Sequence, residues 1–171
     1  VENWKWVFEN IETLNNPSVK TSVVIESDLD FSGYSNILAL DYQSVTGKSQ
    51  PINFSIIGGK VDSVNKTLNG SISTIKGYKI KVNSRNLGFV NIFAGKEISN
   101  LKFDNMEMTC DGSTDNVAVG GLVGTLNEGL IQKVSFVNST INLDKISGAF
   151  GGIVGKVIKG NIKQSDFQSN I

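Results

Sequence analysis

The chain contains no histidine. That removes the side chain that most often acts as a general base near neutral pH, and with it the Ser-His-Asp triad and most zinc sites. Cysteine is nearly absent as well. Cys110 stands alone, so no disulfide can close within the chain and no thiolate cluster can hold a metal. Its expected role is that of a small buried hydrophobe, with pairing to another chain as the alternative in a secreted protein. Arginine occurs once, at Arg85, and the 16 basic residues are matched by 16 acidic ones. With neither a basic excess nor forked guanidinium groups to clamp phosphates, nucleic acid and anionic membranes are not expected partners. No apolar run reaches the roughly 18 residues of a membrane-spanning helix. Proline is limited to Pro17 and Pro51.

Glycine is plentiful, at 18 residues, and its placement is periodic. Gly88-Phe89-Val90-Asn91, Gly121-Leu122-Val123-Gly124 and Gly152-Ile153-Val154-Gly155 begin 33 and then 31 residues apart. Ile98, Ile131 and Ile162 follow at the same offsets, as do Phe103, Phe136 and Phe167. A period near 30 marks a stacked-repeat architecture, and it outranks any local reading. Each repeat offers a glycine-rich apolar strand, a turn, and a strand bearing Ile, a variable residue (Leu101, Val134, Ser165) and Phe. Helical-pair repeats need a 3.6-residue period, and leucine-rich repeats are shorter. Rungs of a parallel β-helix fit instead. Stacked about 4.8 Å apart, the three Phe and the three Ile would form internal ladders. Asn105 and Asn138 align too, as a stacked pair in a turn.

The first half is less regular. Trp4, Val7, Phe8, Ile11 and Leu14 make one apolar stripe and predict a helix over residues 4–14, stopped by Asn15-Asn16-Pro17. Two tryptophans suit a plug over the end of a stack. From Val23 the period becomes two, through Ile25, Leu29 and Phe31, and predicts a strand. Residues 37–40 and 51–57 predict further short strands. Residues 60–71 read as a polar loop. Tyr78, Ile80 and Val82 then alternate with Lys79 and Lys81.

Gly120-Gly121-Leu122-Val123-Gly124 and Gly151-Gly152-Ile153-Val154-Gly155, with the Gly-x-Ile-x-x-(Val/Ser)-x-Phe that follows each, resemble the GLUG repeat. That repeat belongs to bacterial surface proteins and adhesins and to N-terminal regions of immunoglobulin-A-specific metalloproteases. The stretch Asp28 to Ser32 and the stretch Gly70 to Ile80 are similar to the segments that commonly precede such repeats. Asn91, and Lys96 where Gly129 and Gly160 align, depart from the pattern, as does the polar stretch 41–69. Without histidine, the zinc site of the metalloproteases has no counterpart here. The resemblance implies a non-catalytic, extracellular part.

Four further features bear on chemistry. Gly155-Lys156 is no phosphate-binding loop, because Phe150 and Val157 stand where Gly and Ser or Thr are needed. Asp28 and Asp30 lie two apart on a strand, and Asp111 and Asp115 in a predicted loop. Either pair could serve carboxylate catalysis or a weak Ca²⁺ site, and solvated surface acids are the simpler reading. The threonines are too scattered for an ice-binding array. Asn53, Asn65, Asn69 and Asn138 head Asn-x-Ser/Thr sequons, which matter in a eukaryotic secretory protein.

The resulting expectation is one all-β domain over residues 1–171, a right-handed parallel β-helix of about five irregular rungs. Residues 1–16 form a helical cap, 17–86 the irregular first rungs with a polar excursion, and 87–171 three GLUG-like repeats. It is expected to be a piece of a longer or processed polypeptide. No metal or cofactor is expected. The expected function is a rigid stalk or adhesive surface that meets a host or neighbouring-cell protein or glycan. One alternative is a self-assembling filament subunit joined through the open last rung. The other is a carbohydrate-active β-helix enzyme.

Overall fold

A computed structural model describes residues 2–35, 37–81 and 85–170, with the side chains of residues 111–115, 145 and 170 left out. It is a parallel β-solenoid of about four turns with few helices. Successive turns stack in the register that the repeats predict. Ile98 pairs with Ile131 and Ile131 with Ile162. Phe103 pairs with Phe136 and Phe136 with Phe167. Both ladders reach further back than the repeats do. Val23 and Ile56 precede Ile98, while Leu29 and Ile75 precede Phe103. A third column runs through Ile80, Met108 and Ile141. The strands Val90–Phe93, Val123–Leu126 and Val154–Val157, each entered through the repeat glycines, make a separate three-stranded sheet.

The core is a spine of rings. Phe103 and Phe136 lie face to face, with centroids 4.6 Å apart and planes at 6°. Phe167 follows at 5.4 Å. In the other direction Phe89, Tyr78 and Phe31 continue the series at 5.0–5.1 Å, each edge to face with the ring before it. Offset and edge-on ring pairs are each worth roughly 0.5–1.5 kcal/mol beyond simple burial.

Glycine makes the close approach of turns possible. A Cβ on Gly124 would lie 2.6 Å from Leu87 N and 2.7 Å from Asn91 O, both backbone atoms of the neighbouring turn. The corners are left-handed and stacked in columns. Asn100, Lys133 and Gln164 have φ of 56°, 51° and 49°; Gly77, Asn105 and Asn138 have 65°, 56° and 51°. A left-handed conformation costs a residue with a side chain about 1–2 kcal/mol, least for Asn. Ladder hydrogen bonds offset that cost, as where Asn105 N–H donates to Val137 O at 3.1 Å.

The stripe over residues 4–14 forms two helices, α1 (Glu2–Glu9) and α2 (Ile11–Leu14), broken at Asn10. Asn10 donates its side-chain amide to Trp6 O at 2.9 Å, beside its own backbone N–H at 3.0 Å, so two donors share one carbonyl where the helices meet. Trp4, Val7, Ile11 and Leu14 are buried, and Trp4 stacks on Phe89 at 5.0 Å. Only one tryptophan plugs the stack, since Trp6 is 52% exposed. Asn15 joins cap to solenoid. Its buried side chain accepts from Asn53 N–H at 2.6 Å and donates to Pro51 O at 2.9 Å, as a neighbouring strand would.

Several local expectations change. Residues 37–40 contribute an isolated bridge, Leu40 to Val90, where a strand was expected. The strand expected over 51–57 spans Ser55–Gly58, with a separate bridge at Ile52. Between them lies α3 (Tyr42–Thr46), capped by the Asp41 carboxylate and by left-handed Gly47. The expected loop over 60–71 contains an antiparallel hairpin, Lys60–Val61 with Leu68–Asn69. Its turn is organised by Asp62, whose carboxylate accepts from Val64 and Asn65 N–H. These features lie off the stack. Residues 17–86 therefore build fewer rungs than their length suggests, which explains four turns where five were expected. Asp111 and Asp115 lie in the strand Glu107–Gly120 and not in a loop. Val82, expected on the face of Tyr78 and Ile80, lies outside the described residues, as does Ile171.

Candidate functional site

The four sequon asparagines fall in different surroundings. Asn53 is half-buried between buried Ile52 and Phe54, with its N–H taken by Asn15. Asn138 is exposed, but its left-handed corner is tight and its side-chain amide donates to Asp104 at 3.1 Å. Asn65 and Asn69 are exposed on the projecting hairpin. Of the four, these two are best presented to a partner or a modifying enzyme.

The acidic pairs carry structural bonds. The Asp28 carboxylate accepts from Thr74 N–H at 2.7 Å, tying one turn to the next. The Asp30 carboxylate accepts from Ser32 N–H at 2.9 Å. Its hydrogen bonds from Ser32, followed by the nearby charge of Lys76, hold its pKa below the ordinary carboxylate value. The side chains of Asp111 and Asp115 lie outside the described residues. Among the described residues no three His, Cys, Asp or Glu side chains gather as a metal site would require. Among the described residues no helix is long and apolar enough to cross a membrane.

Three surfaces stand out. The first is an apolar groove of about 390 Å³ between α1, residues 31–35 and 37–38, and Val45. Trp4, Phe8, Phe31 and Leu38 contribute to its lining, with Glu2, Lys5 and Glu9 also at its walls. The second runs along the corner built from Gly95, Gly129 and Gly160 and is flanked by Lys96, Lys159 and Lys163. Its one carboxylate, Glu128, pairs with Lys159 at 3.5 Å.

The third is the face of the last turn. Ile131 is fully buried, whereas Ile162, its ladder partner, is 41% exposed. The same change separates buried Val119 from exposed Phe150, and buried Leu126 from exposed Val157. Ile158 adds a further exposed aliphatic side chain. Sequence periodicity located this face. It did not reveal the groove, whose residues come from three irregular segments, or α3, whose Asp41 and Gly47 caps were the available signal. Comparison with protein-family models, with curated proteins and with solved structures finds no match.

Proposed function

We propose that this chain is a non-catalytic, extracellular structural or adhesive module of GLUG-repeat type, serving as a rigid stalk or binding surface of a cell-surface protein. The observation that carries the reading is the unbroken aromatic spine from Trp4 to Phe167. Close-packed interiors transmit load and resist bending, which suits a spacer. The extracellular placement rests on the resemblance in the repeats. Recognition falls to what projects from the rod, namely the hairpin 60–69 and α3, against a protein or glycan of a host or neighbouring cell.

The exposed ladder positions of the last turn favour one further reading, self-association. A second copy would cover Phe150, Val157, Ile158 and Ile162. Head-to-tail growth into a filament would require displacing α1 and α2 from the opposite end, so pairing of two last turns is the form this reading takes. Sedimentation across a concentration series separates the two. A monomer at all concentrations supports the module. A dimer abolished by Ile162→Lys supports self-association. The module reading then also requires saturable binding in a glycan and surface-protein screen, weakened when the hairpin is replaced by a short turn. Polysaccharide turnover by the purified chain would overturn it.

A further inference from the structure

Asn69-Gly70 is the chain's single Asn-Gly step. It lies where the hairpin returns to the solenoid, and both residues are exposed. Three donors converge on the side-chain oxygen of Asn69: Lys60 N–H at 3.0 Å, the Ser71 hydroxyl at 2.8 Å and Ser71 N–H at 3.4 Å. Donors so placed polarise the amide carbon and stabilise a negative oxygen that develops there, as in an oxyanion hole. The following residue supplies the nucleophile. Gly70 has no Cβ to crowd its nitrogen, and among the described residues its N–H donates no hydrogen bond.

We infer that Asn69 is a site of spontaneous backbone modification, through cyclisation to a succinimide and hydrolysis to aspartate and isoaspartate. Gly70 N loses its proton to solvent base and attacks Asn69 Cγ, forming an N–C bond. The negative charge passes to Oδ1, where Lys60 and Ser71 donate. Collapse of this intermediate breaks the Cγ–Nδ2 bond, and Nδ2 takes a proton from water and leaves as ammonia. Water then opens the imide at either carbonyl. The net change is the loss of ammonia for one water, with one new carboxylate on a chain of zero net charge.

Neither of the other exposed sequon asparagines has this set of features. Asn138 is followed by Ser139 and donates its own amide to Asp104. Asn65 is followed by Lys66, and no donor to its side-chain oxygen is found among the described residues. The isoaspartyl product also lengthens the main chain by one carbon at a close contact, since a Cβ on Gly59 would sit 2.3 Å from Asn69 O. A glycan on Asn69 and this conversion exclude one another, because both use Nδ2.

The test is peptide mapping by mass spectrometry of the folded chain after incubation at mildly alkaline pH. Conversion is expected first and predominantly at Asn69, with both isomers present. Ser71→Ala should slow it severalfold, and Gly70→Ala should suppress it. The Gly70 substitution leaves the fold intact, because its Cβ would meet only Asn100 Nδ2, at an ordinary 3.8 Å. An Asn69 that stays amidated while another asparagine reacts overturns the inference. So does a Ser71→Ala rate equal to that of the parent chain, because the convergent donors would then contribute nothing.

Discussion

Phe136 lies between two other rings of the spine and is fully buried. Truncation to alanine removes both ring contacts and leaves a cavity that neighbours on a rigid ladder cannot collapse to fill. Phe136→Ala should cost about 3–5 kcal/mol in denaturant unfolding. A loss below about 1 kcal/mol would mean that the ring is not internal. This position was legible in the sequence because a stack repeats its demands at a fixed spacing. Each turn needs a large apolar side chain at one place, and each repeat's glycines must clear the backbone of the next turn. The left-handed corner of Asn105 and Asn138 was partly legible, since their alignment pointed to a turn but not to its hand. Lys133 and Gln164 share a left-handed corner with Asn100 although neither favours that conformation. There the ladder decides and local preference loses.

At the scale of elements, the cap shows where periodicity succeeds and where it stops. The apolar stripe identified the buried face of the helices but not the break at Asn10, where two donors share Trp6 O. Trp4 and Trp6 give a matched pair of substitutions on one helix. Trp4→Ala should destabilise by about 3–5 kcal/mol, because Trp4 is buried against Phe89. Trp6→Ala should fall within about 0.5 kcal/mol, as surface changes do. Thermal melts of the two variants check the assignment, and similar losses would show that the cap seats differently. The hairpin and α3 escaped the sequence reading because neither repeats. Val61, Val64 and Leu68 are isolated apolar residues in a polar stretch, and nothing in their spacing distinguishes a two-residue strand from a loop.

For the molecule as a whole, the absence of histidine fixes the pH profile. No side chain of ordinary pKa titrates between the carboxylates and the cysteine thiol, so stability should be level from about pH 5 to 7.5. Asp30 and Asp62 are held below the usual carboxylate value by hydrogen bonds, so their contribution is present above pH 4 or so and is lost as pH falls through their folded values. At the alkaline end Tyr78 is pushed up by burial, and its hydroxyl donates to Leu38 O. Its contribution is complete below about pH 10 and is lost as pH rises further, because the unfolded chain then ionises more readily than the native one. Urea midpoints measured across this range should form a plateau with two shoulders. A transition near pH 6–7 would contradict the profile. The candidate site is less legible in the sequence than the fold. Periodicity encodes the stack, while the groove and the hairpin arise from insertions that obey no period.

The strands run across the solenoid axis, and this has a mechanical consequence. One turn of about 31 residues holds roughly 100 Å of extended chain but advances the axis by only about 4.8 Å. Pulled at its ends, the molecule stays short until a turn peels away, and each release then pays out some twenty times the length it occupied. A tether of this kind lengthens stepwise under tension, dissipating work with each turn, while the remaining turns keep their register.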